Sequence, residues 1–177
     1  DYPGRPVRII VGFGAGGPDT VARIVAQQLT VQLGESFIVD NRPGGNGIIG
    51  ADIVAKAPPD GYTLLFNAST FVTAPMTMKE VPYGIEKDFV PISLVAKAPL
   101  SVAIAKDLPV TDIKSLIAYA KSRGDKTTFA VGSIGSAGHL ATELLARAGG
   151  YSYTVVPYKG TSPAFQDLLG GRIDGFI

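Results

Sequence analysis

The chain has 177 residues, a length that allows one domain or two. Hydrophobic residues make up 46% of it and charged residues 18%, enough apolar material for a core and too little charge for a disordered chain. With 16 Lys and Arg against 15 Asp and Glu, the net charge of +1 carries no footprint for nucleic acid, and the absence of Cys excludes disulfides, thiolate metal sites and thiol catalysis.

Val7–Val11 is a β-branched run and reads as a buried strand; with Arg8 inside it, Val7–Phe13 is strand-length and far short of a membrane span. Gly12–Gly17 follows, and Pro18 suits the first helical position, where its missing N–H has no partner to lose. Val21, Ile24, Val25 and Leu29 lie at helical spacing, and Gly34 closes that helix. Phe37–Val39 is a second strand, Pro43–Gly47 a loop, Ile48–Ala57 a short helix, Pro58–Gly61 a turn and Tyr62–Phe66 a third strand. The stretch from Thr70 to Asp88 reads as irregular. Pro91–Ala96 and Leu100–Ala105 read as strands broken at Lys97-Ala98-Pro99, which divides the chain into residues 1–97 and 98–177. Beyond it come helix Asp112–Ser122, strand Thr128–Val131, helix His139–Ala148, strand Thr154–Pro157, helix Ser162–Leu169 and strand Arg172–Ile177. Alternating strands and helices predict parallel sheets covered by helices, an α/β fold. The opening Asp1–Pro6 lacks an initiator Met, as expected of a mature chain whose export signal has been removed. The close, Asp174–Ile177, falls inside an apolar strand, so the polypeptide is expected to be truncated relative to its parent.

In open α/β sheets, ligands bind outside the carboxyl ends of the strands. The strand-to-helix loops Phe13–Thr20, Asn67–Thr70, Gly132–His139 and Tyr158–Ser162 are dominated by small and hydroxyl-bearing residues, whereas Pro58–Gly61 and Arg123–Thr127 are ordinary charged turns. Small residues let a ligand approach the backbone, and helix N-termini present unpaired N–H groups and a partial positive charge. Several such ends make an anion site, to which Ser133, Ser136 and Thr161 add hydroxyl donors. Taken singly, each loop also reads as a helix cap and tight turn.

Two other chemistries have partial signatures. Gly12, Gly14 and Gly17 match G-x-G-x-x-G after a strand, and Asp40 ends the next strand where a ribose-binding acid would sit, the pattern of an NAD(P)-dependent α/β enzyme. Pro18 directly after the third glycine and Asp19 beside the pyrophosphate position rank that reading below a carboxylate site. Ser133, Ser136 and the only His, His139, crowd one loop without G-x-S-x-G spacing, so His139 reads as a brace or cap of that loop rather than a catalytic base. One His and no Cys argue against a transition-metal site, and no cofactor is expected. Asp19 reads either as a helix-dipole partner or as an acceptor for a ligand amine or an ordered water, and Phe13 as core or as an exposed wall of the loop.

Taken together, Tyr2–Val11, Gly14–Asp19, Val39–Gly47, Pro59–Leu64, Gly132–His139 and Val156–Gly160 resemble the Bug family throughout the chain. These are the substrate-binding proteins of tripartite tricarboxylate transporters, also called the TctC type. The resemblance implies an incomplete type II periplasmic binding fold: a first lobe over 1–97 lacking its return segment, and a partial second lobe over 98–177. It implies a periplasmic, non-catalytic protein that captures a dicarboxylate, tricarboxylate, acidic amino acid or aromatic carboxylate and delivers it to membrane permease subunits, without inserting into the membrane. By the same resemblance, ligand contacts fall on Phe13, Gly16, Gly17, Asp19, Ala68 and Ser69 of the first lobe and on Ser133, Gly135, Ser136, His139, Gly160 and Thr161 of the second.

Overall fold

A computed structural model describes residues 2–177; Asp1 lies outside the described residues. The chain divides into two compact units, Asp1–Lys97 and Ala98–Ile177.

The first unit is built on a parallel three-stranded sheet of order β2-β1-β3, from β1 (Val7–Val11), β2 (Phe37–Asn41) and β3 (Thr63–Phe66). Four of the five residues of β1 are buried, because helices cover both faces of this central strand. Val7, Ile9 and Val11 form a cluster with Ala22 and Ala26 of helix α1 (Gly17–Leu33). Ile10 points the other way, towards Gly50 of helix α2 (Ile48–Ala55). Sequence periodicity places Val21, Ile24, Val25 and Leu29 inward, yet the fully buried positions of α1 are Ala22 and Ala26, and Ile24 is 56% exposed. Two alanines let the helix lie close to the sheet, and Leu29 only edges the cluster. Gly34 ends α1 in a left-handed conformation (φ 80°), its N–H donating to the Thr30 carbonyl at 3.1 Å.

The stretch from Thr70 to Asp88 is more regular than its composition suggests, with helices α3 (Thr70–Thr77) and α4 (Ile85–Asp88). Pro75 and the β-branched residues of α3 hide it from propensity reasoning, and tertiary packing overrides them through Thr70 and Ala74, both buried. Phe71, Tyr83 and Phe89 close this corner as a ring cluster with centroids 5.0 to 5.5 Å apart.

The second unit holds a four-stranded sheet of order β4-β7-β5-β6, from β4 (Ala103–Ile104), β5 (Thr128–Val131), β6 (Thr154–Pro157) and β7 (Gly175–Phe176). The β5 pairings with β6 and β7 are parallel, and β4 is antiparallel to β7. Ala130 packs with Ala164 and Leu168 of α7 (Thr161–Leu169), leaving Phe129 and Val131 for the opposite face. Helix α5 (Ile113–Arg123) starts at a capping box in which the Asp112 carboxylate accepts from Ser115 N–H at 2.7 Å. Helix α6 (Ala137–Gly149) starts at Ser136 and lies against β5. Asp174, 9% exposed, ties β5 to β7: its carboxylate accepts from Thr128 N–H at 2.8 Å, Thr128 Oγ1 at 2.9 Å and Tyr119 Oη at 3.0 Å.

Two sequence expectations need correction. The Pro91–Ala96 strand is absent, and Leu100–Ala105 contributes only Ala103–Ile104. Residues 91–100 are exposed and unpaired, with Val90, Ile92 and Leu94 at 87%, 79% and 72% exposure, because among the described residues no strand lies alongside them. The last strand shrinks from Arg172–Ile177 to Gly175–Phe176, since β5 offers it only two paired positions.

Candidate functional site

Parallel register puts the strand ends of each sheet level. In the first unit Val11 pairs with both Asn41 and Phe66, so the loops after β1, β2 and β3 gather at one carboxyl edge. In the second, Val131 pairs with Pro157, which brings together the loops after β5 and β6. Phe13, Gly16, Gly17, Asp19, Ala68 and Ser69 therefore share one edge of the first unit. Ser133, Gly135, Ser136, His139, Gly160 and Thr161 share one edge of the second.

Close backbone approach builds the first loop cluster. A Cβ on Gly12 would lie 2.7 Å from Gly47 Cα, and one on Gly50 would lie 2.9 Å from Gly12 Cα. Only glycine lets the Gly45–Gly47 turn and the start of α2 sit against the end of β1. Phe13 is half-buried; its ring packs against the core cluster and covers Gly47. Beside it, Thr70 Oγ1 is buried without a hydrogen-bond partner among the described residues and borders a small recess that Phe13, Asn46 and Asn67 also line.

Gly16 caps α1, its carbonyl accepting from Thr20 N–H at 3.0 Å, and Pro18 stands in the first helical turn. The Asp19 side chain, 13% exposed, is held on two sides: Arg23 Nε donates to it at 3.1 Å and Asn41 Nδ2 at 2.8 Å. Asn41 Nδ2 also donates to the Phe13 carbonyl at 3.0 Å, and Arg23 donates to Asn41 Oδ1 at 2.9 Å. The Arg23 guanidinium holds the Asp19 carboxyl below its ordinary range against the partial burial that raises it, and Asn41 adds to the lowering. The Asp19 carboxylate is thus matched by a cation. Asn41 is the positioning residue that sequence reasoning missed; its one signal is its place at the end of a strand whose neighbour opens into the glycine loop.

Asp40, the candidate ribose acid, is occupied differently. Both its oxygens accept from guanidiniums, Oδ2 from Arg8 Nε at 2.7 Å and Oδ1 from Arg42 Nε at 2.9 Å. Partial burial pushes this carboxyl up, and the two arginines outweigh it and bring it below its ordinary range.

At the third strand, Ala68 is half-buried and Ser69 exposed, and their carbonyls take the first N–H groups of α3: Phe71 at 3.0 Å on Ala68, Val72 and Thr73 at 3.1 Å on Ser69.

In the second unit the loops after β5 and β6 are tied directly, Gly160 N–H donating to the Gly132 carbonyl at 3.2 Å. Ser136 caps α6, its Oγ accepting from His139 N–H at 3.2 Å, and the Ser133 carbonyl accepts from Ser136 N–H at 3.2 Å. Gly135 is buried with φ 77°, a left-handed position that favours glycine. His139, its side chain 16% exposed, turns back on this loop: its Nδ1 accepts from Gly135 N–H at 2.9 Å, and its Nε2 lies 3.6 Å from Glu143 Oε1. Gly160 (φ 119°) caps α7, whose first residue is Thr161.

The two clusters share a chemistry. Three helices, α1, α6 and α7, begin at glycine- or serine-capped loops whose donors are largely main-chain N–H groups. Among the described residues no group of three His, Cys, Asp or Glu could hold a metal ion, and no helix is long and apolar enough to cross a membrane.

Residues 21–177 match the family model described as the tripartite tricarboxylate transporter family receptor, TctC. The protein BugT of Bordetella pertussis is 41% identical over 97% of this chain and 54% of its own length. A protein encoded in the tcbD–tcbE intergenic region of a Pseudomonas species is 40% identical over 99% of this chain and 53% of its own length. The chain thus spans about half the length of the curated relatives it matches. Among solved structures, an R. palustris protein with adipate superposes with a TM-score of 0.97 at 38% identity, covering 100% of this chain and 60% of that one. The periplasmic binding protein BugD gives 0.91 at 42% identity, over 99% and 59%. MatC from Rhodopseudomonas palustris with bound malate gives 0.87 at 31%, over 99% and 60%. The fold is therefore that of the periplasmic binding proteins, present here in part.

Proposed function

The chain belongs to the TctC family of tripartite tricarboxylate transporter receptors, and from that premise we propose that it carries the ligand-gripping loops of a periplasmic solute-binding protein for a small carboxylate. The observation that supports this most is local. In each unit the carboxyl edge of a parallel sheet gathers glycine- and serine-rich loops at helix N-termini, and the acidic side chain nearest the first of them, Asp19, is already paired with Arg23. Main-chain N–H groups then meet the anion at short range without competition from a free carboxylate. The solved relatives with adipate and with malate support a dicarboxylate as the ligand in this reading.

In this reading Phe13, Gly16, Gly17, Asp19, Ala68 and Ser69 form the binding loops of the first unit and Ser133, Gly135, Ser136, His139, Gly160 and Thr161 those of the second, with no catalytic step. The bound form is recognised by the permease subunits of a tripartite transporter. Specificity comes from where the amides stand rather than from a dedicated Arg, so the ligand's carboxylate spacing is what the protein measures.

A thermal-shift and calorimetric screen of adipate, malate, NAD and NADP tests this. Adipate or malate is expected to raise the melting temperature, and ligand at 100 times its dissociation constant contributes about 2.7 kcal/mol. Ser133→Ala and Gly16→Val are expected to weaken the response, the second because its side chain blocks backbone approach. Stabilisation by a dinucleotide and by no carboxylate would replace this reading with that of an NAD(P)-dependent enzyme using the Gly12-Gly14-Gly17 loop.

A further inference from the structure

The His139 side chain is bonded back onto the backbone of its own loop. Its Nδ1 accepts from Gly135 N–H at 2.9 Å, across four residues, and Gly135 stands at φ 77° in the middle of the Ser133–Ser136 turn. A ring nitrogen that accepts a hydrogen bond carries no proton. The other nitrogen lies 3.6 Å from Glu143 Oε1, so the proton of the neutral ring falls on Nε2, on the Glu143 side. Glu143 is held from outside the helix: Tyr153 Oη, from the segment before β6, donates to the same Oε1 at 2.8 Å. Tyr153 is a partner that stays a donor, because burial pushes its phenol up and Glu143 pushes it further.

We propose that His139 is a positioning residue that holds the Ser133–Ser136 turn in its ligand-ready shape through the Gly135 amide, and that protonation of the ring releases the turn. This rests on the carboxylate-binding reading of that loop and assigns His139 an indirect part in it. Protonation fills Nδ1 and turns the acceptor into a donor, so two N–H groups face each other where one hydrogen bond stood. Among the described residues the ionisable groups that face the ring are Glu143, on the same helix, and, through it, Tyr153. The anchored turn therefore exists where the ring is neutral and is lost where Nδ1 is protonated.

The test reads the anchor and the binding separately. Ring 15N resonances of His139 and the amide resonance of Gly135 are followed by NMR between about pH 8 and about pH 5. The proposal expects an unprotonated, hydrogen-bond-accepting Nδ1 at the upper end and a Gly135 amide that shifts with the same midpoint as the ring. His139→Asn places Oδ1 near the position of Nδ1 and does not titrate, so it keeps Gly135 protected from exchange and removes the pH dependence. His139→Leu fills the space without an acceptor and exposes Gly135 at every pH. Calorimetry with adipate is expected to show roughly threefold to tenfold weaker binding for the wild type at the acid end and for His139→Leu throughout, the worth of about one hydrogen bond. A Gly135 amide indifferent to pH, or His139→Asn behaving as His139→Leu does, overturns the anchor. Adipate affinity that ignores both pH and His139→Leu overturns its part in binding. Absence of adipate binding at any pH with the NMR titration intact sinks the carboxylate reading and leaves the anchor standing.

Discussion

Replacing Asn41 by Ala removes a side chain that fastens the glycine loop of the first unit to the end of β2. Three hydrogen bonds go with it: to the Phe13 carbonyl at 3.0 Å, to Asp19 at 2.8 Å and from Arg23 at 2.9 Å. The Arg23 side chain is 57% exposed and regains water, so its share is set near zero. The bond to the Phe13 carbonyl is neutral and contributes about 1 kcal/mol, and the bond to the Asp19 carboxylate about 1.5 kcal/mol. With some recovery through water, the expected loss is about 2 kcal/mol, taken from the first unit alone. Urea unfolding followed by the tyrosines reads the global part. Hydrogen exchange of residues 13–17 reads the local part, with protection falling about thirtyfold for 2 kcal/mol. A change below about 0.5 kcal/mol with unaltered exchange would mean that the loop stands on its glycine contacts alone, and the clamp reading of Asn41 would be wrong.

Gly12→Ala drives a methyl group to 2.7 Å from Gly47 Cα and 2.9 Å from its carbonyl oxygen, backbone that cannot swing aside, and is expected to destabilise the first unit by about 1–3 kcal/mol in thermal melts. Asp174→Ala leaves Thr128 N–H without an acceptor at the junction of β5 and β7 and is expected to lower the stability of the second unit by about 3 kcal/mol in urea titrations. Because the folded chain holds Asp19 and Asp40 below their ordinary values, their contribution to stability is full above the unfolded carboxylate range and is lost as pH falls through the folded values. Asp19→Asn is therefore expected to flatten the acid limb of a stability-against-pH curve, measured by urea midpoints between about pH 5 and about pH 2.

Much of the scaffold is legible in the residues themselves. β1, β5 and β6 coincide with short β-branched runs, Gly34 stops α1, and Asp112 with Ser115 starts α5, each through a physical signal confined to a few positions. What stays hidden depends on neighbours far along the chain. The face α1 buries is set by how closely the helix can lie on β1, which favours Ala22 and Ala26 over larger residues one position away. The run Pro91–Ala96 reads as a strand, but strand pairing needs a partner, and none stands beside it among the described residues. Loop composition marks the site region, and the alternation of strand and helix explains why the loops gather at one edge of each sheet. Asn41 escapes notice because its partners lie 22 and 28 residues away, and a lone Asn at a strand end has many uses.

The electrostatics of the first loop make the proposed main-chain recognition compatible with so much acid nearby. Asp19 and Asp40 both lie within a few residues of the loops that follow β1 and β2, and either one, left free, would repel a carboxylate ligand. Each is instead saturated locally: Asp19 by Arg23 one helical turn on, Asp40 by Arg8 across the strand pair and Arg42 two residues on. The arginines are 43–57% exposed, so their long-range fields are screened, while their short contacts cancel the carboxylates. With three guanidiniums on two carboxylates, this edge of the first unit keeps a side-chain charge of +1, to which the α1 N-terminus and the glycine amides add a short-range field. Such a field falls off within a turn of the helix, which makes it selective for an anion seated against the backbone and indifferent to one passing at a distance. By this argument Arg23→Ala damages binding by freeing the Asp19 charge rather than by removing a contact, and Asp19→Asn in the same chain restores it. Calorimetry with adipate on the single and double variants decides the matter: a double variant as weak as Arg23→Ala alone would show that the guanidinium itself grips the ligand.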